Sequence, residues 1–184
     1  MTTIYLFRHG QTTYNKKGIF TGWSDADLTE EGIAECIRIR KELDSVTPTK
    51  AYASDLKRSQ KTLYLVLGDK KPQIFIDKRI KERSYGDLTG KNKEEIAKKY
   101  PKEYPLWHRS YNVRPPNGES IEDVENRVLE FINDILLKLD KNDIVFISAH
   151  GNSLRPIRRY FEKMSIEEMC SFEHVQGKVY KYVL

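Results

Sequence analysis

Cysteine is scarce in this chain: Cys36 and Cys170 are the only two among 184 residues. Two cysteines supply neither a disulfide framework nor a four-cysteine zinc site, and they fit a reducing compartment. No apolar run approaches the roughly 18 residues of a membrane span. Internal repeats, low-complexity tracts and long Gly/Ser linkers are also lacking, which removes repeat arrays and flexibly tethered modules from consideration. Charge of one sign is not strongly in excess. The net charge is +5, with Lys and Arg spread along the whole chain. That balance suits an anionic substrate as well as nucleic acid and decides between them in neither direction. Met1 to Arg8 runs straight into a strand-like segment without a signal-peptide layout. The expectation is a soluble, cytoplasmic protein with no membrane partner. Its length fits a single domain, 1–184, large enough to bury about 70% of its unfolded surface.

Strand-like and helix-like periods alternate, which predicts α/β architecture: a three-layer αβα sandwich around a mostly parallel sheet. Ile4 to Phe7 and Ile144 to Ile147 read as buried strands, with shorter candidates at 51–53 and 74–76. Residues 29–43 predict a helix capped by Thr29, with Ile33, Cys36, Ile37 and Leu43 on its apolar face. A second helix is expected to start at Ser54. Ser120 to Leu139 is the longest amphipathic pattern, opened by a capping-box-like Ser120-Ile-Glu-Asp123. Ser165-Ile-Glu-Glu168 opens a shorter helix, and 179–183 reads as an edge strand. Between 86 and 119 lie Pro101, Pro105, Pro115 and Pro116, four of the seven prolines in the chain. One short helix, from cap Asn92 to Tyr100, is expected there. The stretch reads as a helical and loop excursion over the active site.

Two strands end in the same dipeptide, at His9-Gly10 and at His150-Gly151. Ligands of open α/β sheets bind beyond the carboxyl ends of strands, so two such pairs can converge on one spot. Glycine beside each histidine permits close backbone approach or positive φ. A helix after Gly151 would aim free N–H groups at an anion. Arg8 and Arg58 add planar guanidinium groups suited to phosphoryl oxygens. Glu82 follows the third strand, where a carboxyl can move a proton. Together these residues read as phosphoryl transfer to a histidine nucleophile. A metal is not expected, because no third histidine and no carboxylate at ligand spacing accompanies the pair. The basic cluster Arg155-Pro-Ile-Arg158-Arg159 reads as a solvated helix face. No aromatic platform accompanies it, so nucleic acid is not an expected partner.

Arg8-His9-Gly10 with Arg58, Glu82 and His150 resembles the histidine phosphatase superfamily. A narrower set resembles its cofactor-dependent phosphoglycerate mutases. That set comprises Phe20-Thr-Gly-Trp23-Ser-Asp25, Glu82-Arg83-x-Tyr85-Gly86, Gly90-x-Asn92-Lys93, Trp107-His108-Arg109-Ser-Tyr111 and His150-Gly-Asn-Ser-Leu-Arg155. The match runs from about residue 4 to 183. The resemblance implies that His9 is phosphorylated, that Glu82 donates the proton, and that Arg8, Arg58 and His150 surround the phosphoryl group. It implies loop contacts from Gly10, Thr12, Asn15, Thr21 and Gly22. Arg83, Tyr85, Lys93, His108 and Arg109 match positions holding the rest of a small phosphorylated anion, and Gly151 and Asn152 complete the set. The implied primer is 2,3-bisphosphoglycerate, the implied reaction interconverts 3- and 2-phosphoglycerate, and a homo-oligomer stays open.

Several features depart from that pattern. His108 stands where the mutases carry arginine, the 111–119 segment is short, and the chain stops at Leu184 without a polar tail. Pro156 removes a backbone donor early in the helix after His150. A short loop and a missing tail are expected to loosen substrate enclosure, so hydrolysis of small phosphate esters by a histidine phosphatase is the alternative activity. His108 is expected to act as a cation that switches with pH.

Overall fold

A computed structural model describing residues 1–184 shows one five-stranded sheet. Its strands are β1 (Thr3–Arg8), β2 (Lys50–Ala53), β3 (Gln73–Ile76), β4 (Ile144–Ala149) and β5 (Val179–Val183), in the order β3-β2-β4-β1-β5. The first four strands run parallel, and β5 pairs antiparallel with β1 as the edge its alternating lysines predicted. Arg8 lies opposite Ala149 in the β1–β4 ladder. His9 and His150 therefore leave neighbouring strands at the same level, and the His9 amide still donates to the Ala149 carbonyl at 2.9 Å.

Helices cover both faces, giving three layers. On one side Ile4, Leu6, Val145 and Ile147 pack against α6 (Ile121–Lys138) and α7 (Gly151–Glu162). On the other, Phe7, Phe146, Ala51 and Ala53 pack against α2 (Glu30–Glu42) and α3 (Lys57–Leu67). Neighbouring residues of each strand serve opposite faces, which is why β1 and β4 read as continuous apolar runs. The Ser120 capping box forms as predicted, its hydroxyl accepting from the Asp123 amide while the Asp123 carboxylate accepts from the Ser120 amide. α1 is a single turn (Thr13–Lys16) capped by Thr12. The Ser165 capping box opens α8 (Ile166–Ser171).

Three local expectations are corrected. The buried face of α2 is Cys36, Ile39 and Leu43, and Ile37 is 43% exposed. The sequence spacing of 36, 39 and 43 fits one stripe, and Ile37 lies one step of about 100° off it. The third helix begins at Lys57 rather than Ser54, whose side chain serves the site described below. The 86–119 excursion holds two α-helices, α4 (Lys93–Lys99) and α5 (Glu103–Arg109). Pro105 sits in the first turn of α5, where an amide has no partner inside the helix and proline costs little. The excursion has its own small core of Phe20, Tyr85, Leu88 and Ile96, flanked by Tyr100, Tyr104 and Trp107. Gly86 is required where the excursion folds back. Its φ is +53°, and a Cβ would stand 2.0 Å from the Pro116 carbonyl oxygen.

Candidate active site

The two histidine rings meet as the strand ends predict, with centroids 5.0 Å apart. His9 is 2% exposed and His150 is fully buried. The His9 Nδ1 lies 2.8 Å from the Gly10 carbonyl oxygen. A carbonyl only accepts, so Nδ1 carries the proton and Nε2 keeps its lone pair. Gly10 serves by close approach rather than positive φ, since a Cβ there would stand 2.3 Å from the Gly32 carbonyl. On the other ring, Nε2 of His150 lies 2.7 Å from the Ser54 hydroxyl, and Nδ1 is buried without a partner.

Arg58 is 2% exposed and held from behind: Nη1 donates to the Ser24 carbonyl and Nη2 to that of Gly22, at 2.8 and 2.7 Å. Its Nε, like that of Arg8, is buried with no partner. Burial, then Arg58, then Arg8 hold the His9 imidazole well below its usual range. Burial, then Arg58 and His9 do the same to His150. Both rings are therefore neutral at physiological pH.

Glu82 is 7% exposed and asymmetric in its contacts. Its Oε1 accepts three N–H groups, from the Arg83 amide at 2.7 Å, the Asn152 amide at 3.1 Å and the Asn152 side chain at 3.0 Å. No protein donor reaches Oε2, which faces the space over Gly151. The backbone carbonyl of Glu82 is fixed in turn by the Trp23 indole and by Arg127. Ligand atoms of His9, Glu82 and His150 lie within 4.8 Å of one another. Glu82 joins the two histidines as the phosphoryl-transfer reading expects; only the expectation that no carboxylate stands at ligand distance from them is corrected, since folding brings Glu82 there from a segment remote in sequence.

Above this floor opens a cavity of about 180 Å³. Its lining includes Arg8, Asn15, Thr21, Gly22, Glu82, Tyr85, Lys93, His108, Arg109, Gly151 and Asn152, while His9, Arg58 and His150 are buried outside it. Three expected contacts lie elsewhere. Gly10 donates its amide to Thr62, Thr12 is buried as the cap of α1, and Arg83 is fully buried. The Arg83 guanidinium donates to the Glu119 and Val113 carbonyls, and so braces the excursion behind Tyr85. His108 is corrected as well. Burial, then Arg109 and Lys93, push its imidazole down to about 4, so it is neutral throughout the physiological range and is no pH-switched cation there.

The sequence reading missed four contributors. Arg155 was expected on a solvated face, yet it is 1% exposed and lines the cavity. Its neighbours Arg158 and Arg159 are committed to ion pairs with Glu162 and Glu125. Ser54 orients His150, as described. Glu173 and His174 enter the cavity from the loop before β5. Arg155 shares the charged side of α7 with Arg158, Arg159 and Glu162, so the helical pattern does not single it out; nothing in the local sequence marks Glu173 or His174.

A buried imidazole with a free Nε2 lone pair, two neighbouring guanidinium groups and a cationic cavity on this α/β fold suit small phosphorylated molecules. The family profile of the histidine phosphatase superfamily (branch 1) matches residues 4–184. The chain belongs to that superfamily. A relative from Bartonella tribocorum, named 2,3-bisphosphoglycerate-dependent phosphoglycerate mutase, is 40% identical over 95% of this chain and 88% of its own. Another of the same name, from Nitrobacter winogradskyi, is 41% identical over 95% and 87%. Among solved structures, Bacillus stearothermophilus YhfR superposes with a TM-score of 0.89 at 30% identity, covering 98% of this chain and 90% of its own. A putative alpha-ribazole-5'-P phosphatase from Escherichia coli gives 0.85 at 26% identity, covering 98% and 90%.

Proposed function

We propose that the chain, working as one domain over 1–184, interconverts 3-phosphoglycerate and 2-phosphoglycerate through phosphohistidine at His9. The observation that carries this reading is a second set of cations. Lys93, Arg109 and Arg155 line the same cavity as Arg8, while Arg58 and the two histidines are buried outside that lining. Removing phosphate from a simple ester needs only the first set; gripping a molecule with anions at both ends uses both. The name borne by relatives at about 40% identity supports the same reading.

With Nδ1–H given to Gly10, the His9 Nε2 lone pair faces no competing proton and needs no separate base. The unpartnered Nε–H groups of Arg8 and Arg58 suit the oxygens of a PO₃ unit. With the Ser54 hydroxyl donating to Nε2 of His150, the Nδ1 proton of His150 serves the same unit. As the Nε2–P bond forms, the ester P–O bond breaks, and Glu82 gives its proton to the departing oxygen. In the return step the substrate hydroxyl attacks phosphorus, Glu82 takes its proton, and Nε2 departs. 2,3-Bisphosphoglycerate supplies the phosphoryl group that charges His9, and its anions suit the two sets of cations. No metal enters this chemistry. Both rings are held down by burial first and then by Arg58, and the guanidinium charges of Arg58 and Arg8 repel a dication at the same place.

A cytoplasmic place in glycolysis or gluconeogenesis follows from that reaction. No helix is long and apolar enough to cross a membrane. A histidine phosphatase is the second reading, favoured by Glu173, whose carboxylate holds Arg109 at 2.8 Å. The deciding experiment measures conversion of 3- to 2-phosphoglycerate, with and without 2,3-bisphosphoglycerate, beside release of inorganic phosphate. Conversion stimulated by the bisphosphate, with slower hydrolysis alongside, supports the mutase. Phosphate release from many esters without interconversion assigns the phosphatase.

A further inference from the structure

His174 occupies an unusual position for a histidine that neither the fold nor the chemistry above employs. It lies in the loop between α8 and β5 and lines the same cavity as Arg109, Lys93 and Arg155. Both of its ring nitrogens are shut off from solvent, and neither makes a well-formed hydrogen bond, the Gly151 backbone offering only a marginal contact. Buried polar groups are rarely left in this state, because an unpaired donor or acceptor loses its water and gains nothing in return. A group that faces a ligand cavity and is paired by the ligand resolves the conflict.

The ring is held in place before any ligand arrives. Its edge meets the Phe172 ring at a centroid distance of 4.8 Å and an angle of 81°. Phe172 is in turn covered by the guanidinium groups of Arg155 and Arg158, at 4.7 and 4.3 Å. Arg155 is itself tied to the Met169 and Cys170 carbonyls at the end of α8. On the other side, the His174 ring converges with Glu82 and Arg8 over Gly151. Atoms of all three lie 3.5–3.7 Å from the place a Gly151 side chain would occupy. A ring so braced presents its N–H in a fixed direction, which lowers the entropy lost on binding.

We propose that His174 is a substrate-contact residue whose imidazole N–H donates a hydrogen bond to an oxygen in the part of the substrate that is not transferred. The inference rests on the phosphoglycerate reading given above. The transferring group is already served by Arg8, Arg58 and His150 at the cavity floor. His174 lines the cavity with Lys93, Arg109 and Arg155; Arg8 is shared with the floor, whereas His9, Arg58 and His150 lie outside the lining. Burial, then Arg155 and Arg8, push its imidazole down to about 2, so it acts as a neutral donor and adds selectivity by direction rather than by charge.

The test compares the wild type with His174→Phe and His174→Asn by calorimetric titration with 3-phosphoglycerate and, separately, inorganic phosphate. Steady-state kinetics on the same proteins accompany it. In His174→Phe the Kd and KM for 3-phosphoglycerate should rise about tenfold, with kcat within about threefold and phosphate affinity unchanged. His174→Asn keeps a donor and should recover most of the loss. An unchanged Kd for 3-phosphoglycerate in His174→Phe overturns the inference. So does an equal loss of both ligands in the two variants, which would mark a packing role. If the wild type binds phosphate but not 3-phosphoglycerate, the phosphoglycerate reading falls and takes this inference with it.

Discussion

Asn152 grips one oxygen of Glu82 twice, through its backbone amide at 3.1 Å and its side-chain Nδ2 at 3.0 Å. The same Nδ2 also donates to the Tyr85 hydroxyl at 3.0 Å. Glu82 therefore has only Oε2 available for the substrate. Glu82→Gln should lower turnover by roughly 10²–10⁴, the usual worth of a general acid–base. Asn152→Ala leaves the carboxyl in place but frees it to turn, and should cost about tenfold to a hundredfold. Steady-state rates of the two variants check both values. Equal losses would mean that Asn152 does more than position Glu82.

His9→Ala should abolish acid-labile phosphate incorporation from labelled bisphosphoglycerate. Normal labelling in that variant would falsify the nucleophile assignment. The hydrogen bond to Gly10 adds a spectroscopic expectation. Nitrogen-15 spectra should show His9 as the neutral Nδ1–H tautomer at pH 6, where an ordinary histidine is largely protonated.

His108→Arg should lower the Michaelis constant by a similar factor at pH 6 and pH 8. The native imidazole is uncharged at both values, since burial and then Arg109 push it down to about 4. A benefit confined to pH 8 would restore the switching role that the sequence led one to expect.

Glu173→Gln should improve binding of the substrate's second anion, because the Arg109–Glu173 pair must part to admit it. Glu173 is 78% exposed, and such pairs hold weakly. The fall in the Michaelis constant should be about twofold to fivefold, and smaller at high salt. A titration of ionic strength on both proteins measures it.

All four histidines are held below their ordinary value, with burial the largest cause in each. The unfolded chain takes up protons as pH falls through about 6.5, while the native protein does not. Stability should therefore be full above pH 6.5 and decline as the pH falls toward 5. Melting temperatures at pH 7.5, 6.5 and 5.5 test this, and a flat series would contradict it.

The parts of this molecule that sequence reveals are those governed by local pattern. Apolar runs ending in His9 and His150 gave the parallel strands and their shared end, and the Ser120 and Ser165 boxes gave two helix starts. Pro105 misled, because a proline breaks a helix interior but not its first turn. Arg83 and Arg155 were misjudged, and His174 was passed over, for another reason. Whether a charged or polar side chain faces solvent, backbone or cavity depends on segments far away in sequence. Arg83 is claimed by carbonyls at 113 and 119, and Arg155 by those at 169 and 170.

The strand order has a consequence for how this site can change over time. β1 and β4, which deliver the two histidine rings, are both interior strands with a neighbour on each side. Their amides should be among the slowest in the chain to exchange with deuterium, opening only when the whole sheet does. Lys93, Arg109 and His174 sit instead on short helices and a loop outside the sheet. Mutation can remodel that outer half without unsettling the backbone that carries His9. On the proposed reading, a floor held by the sheet can thus acquire new substrates through its walls alone.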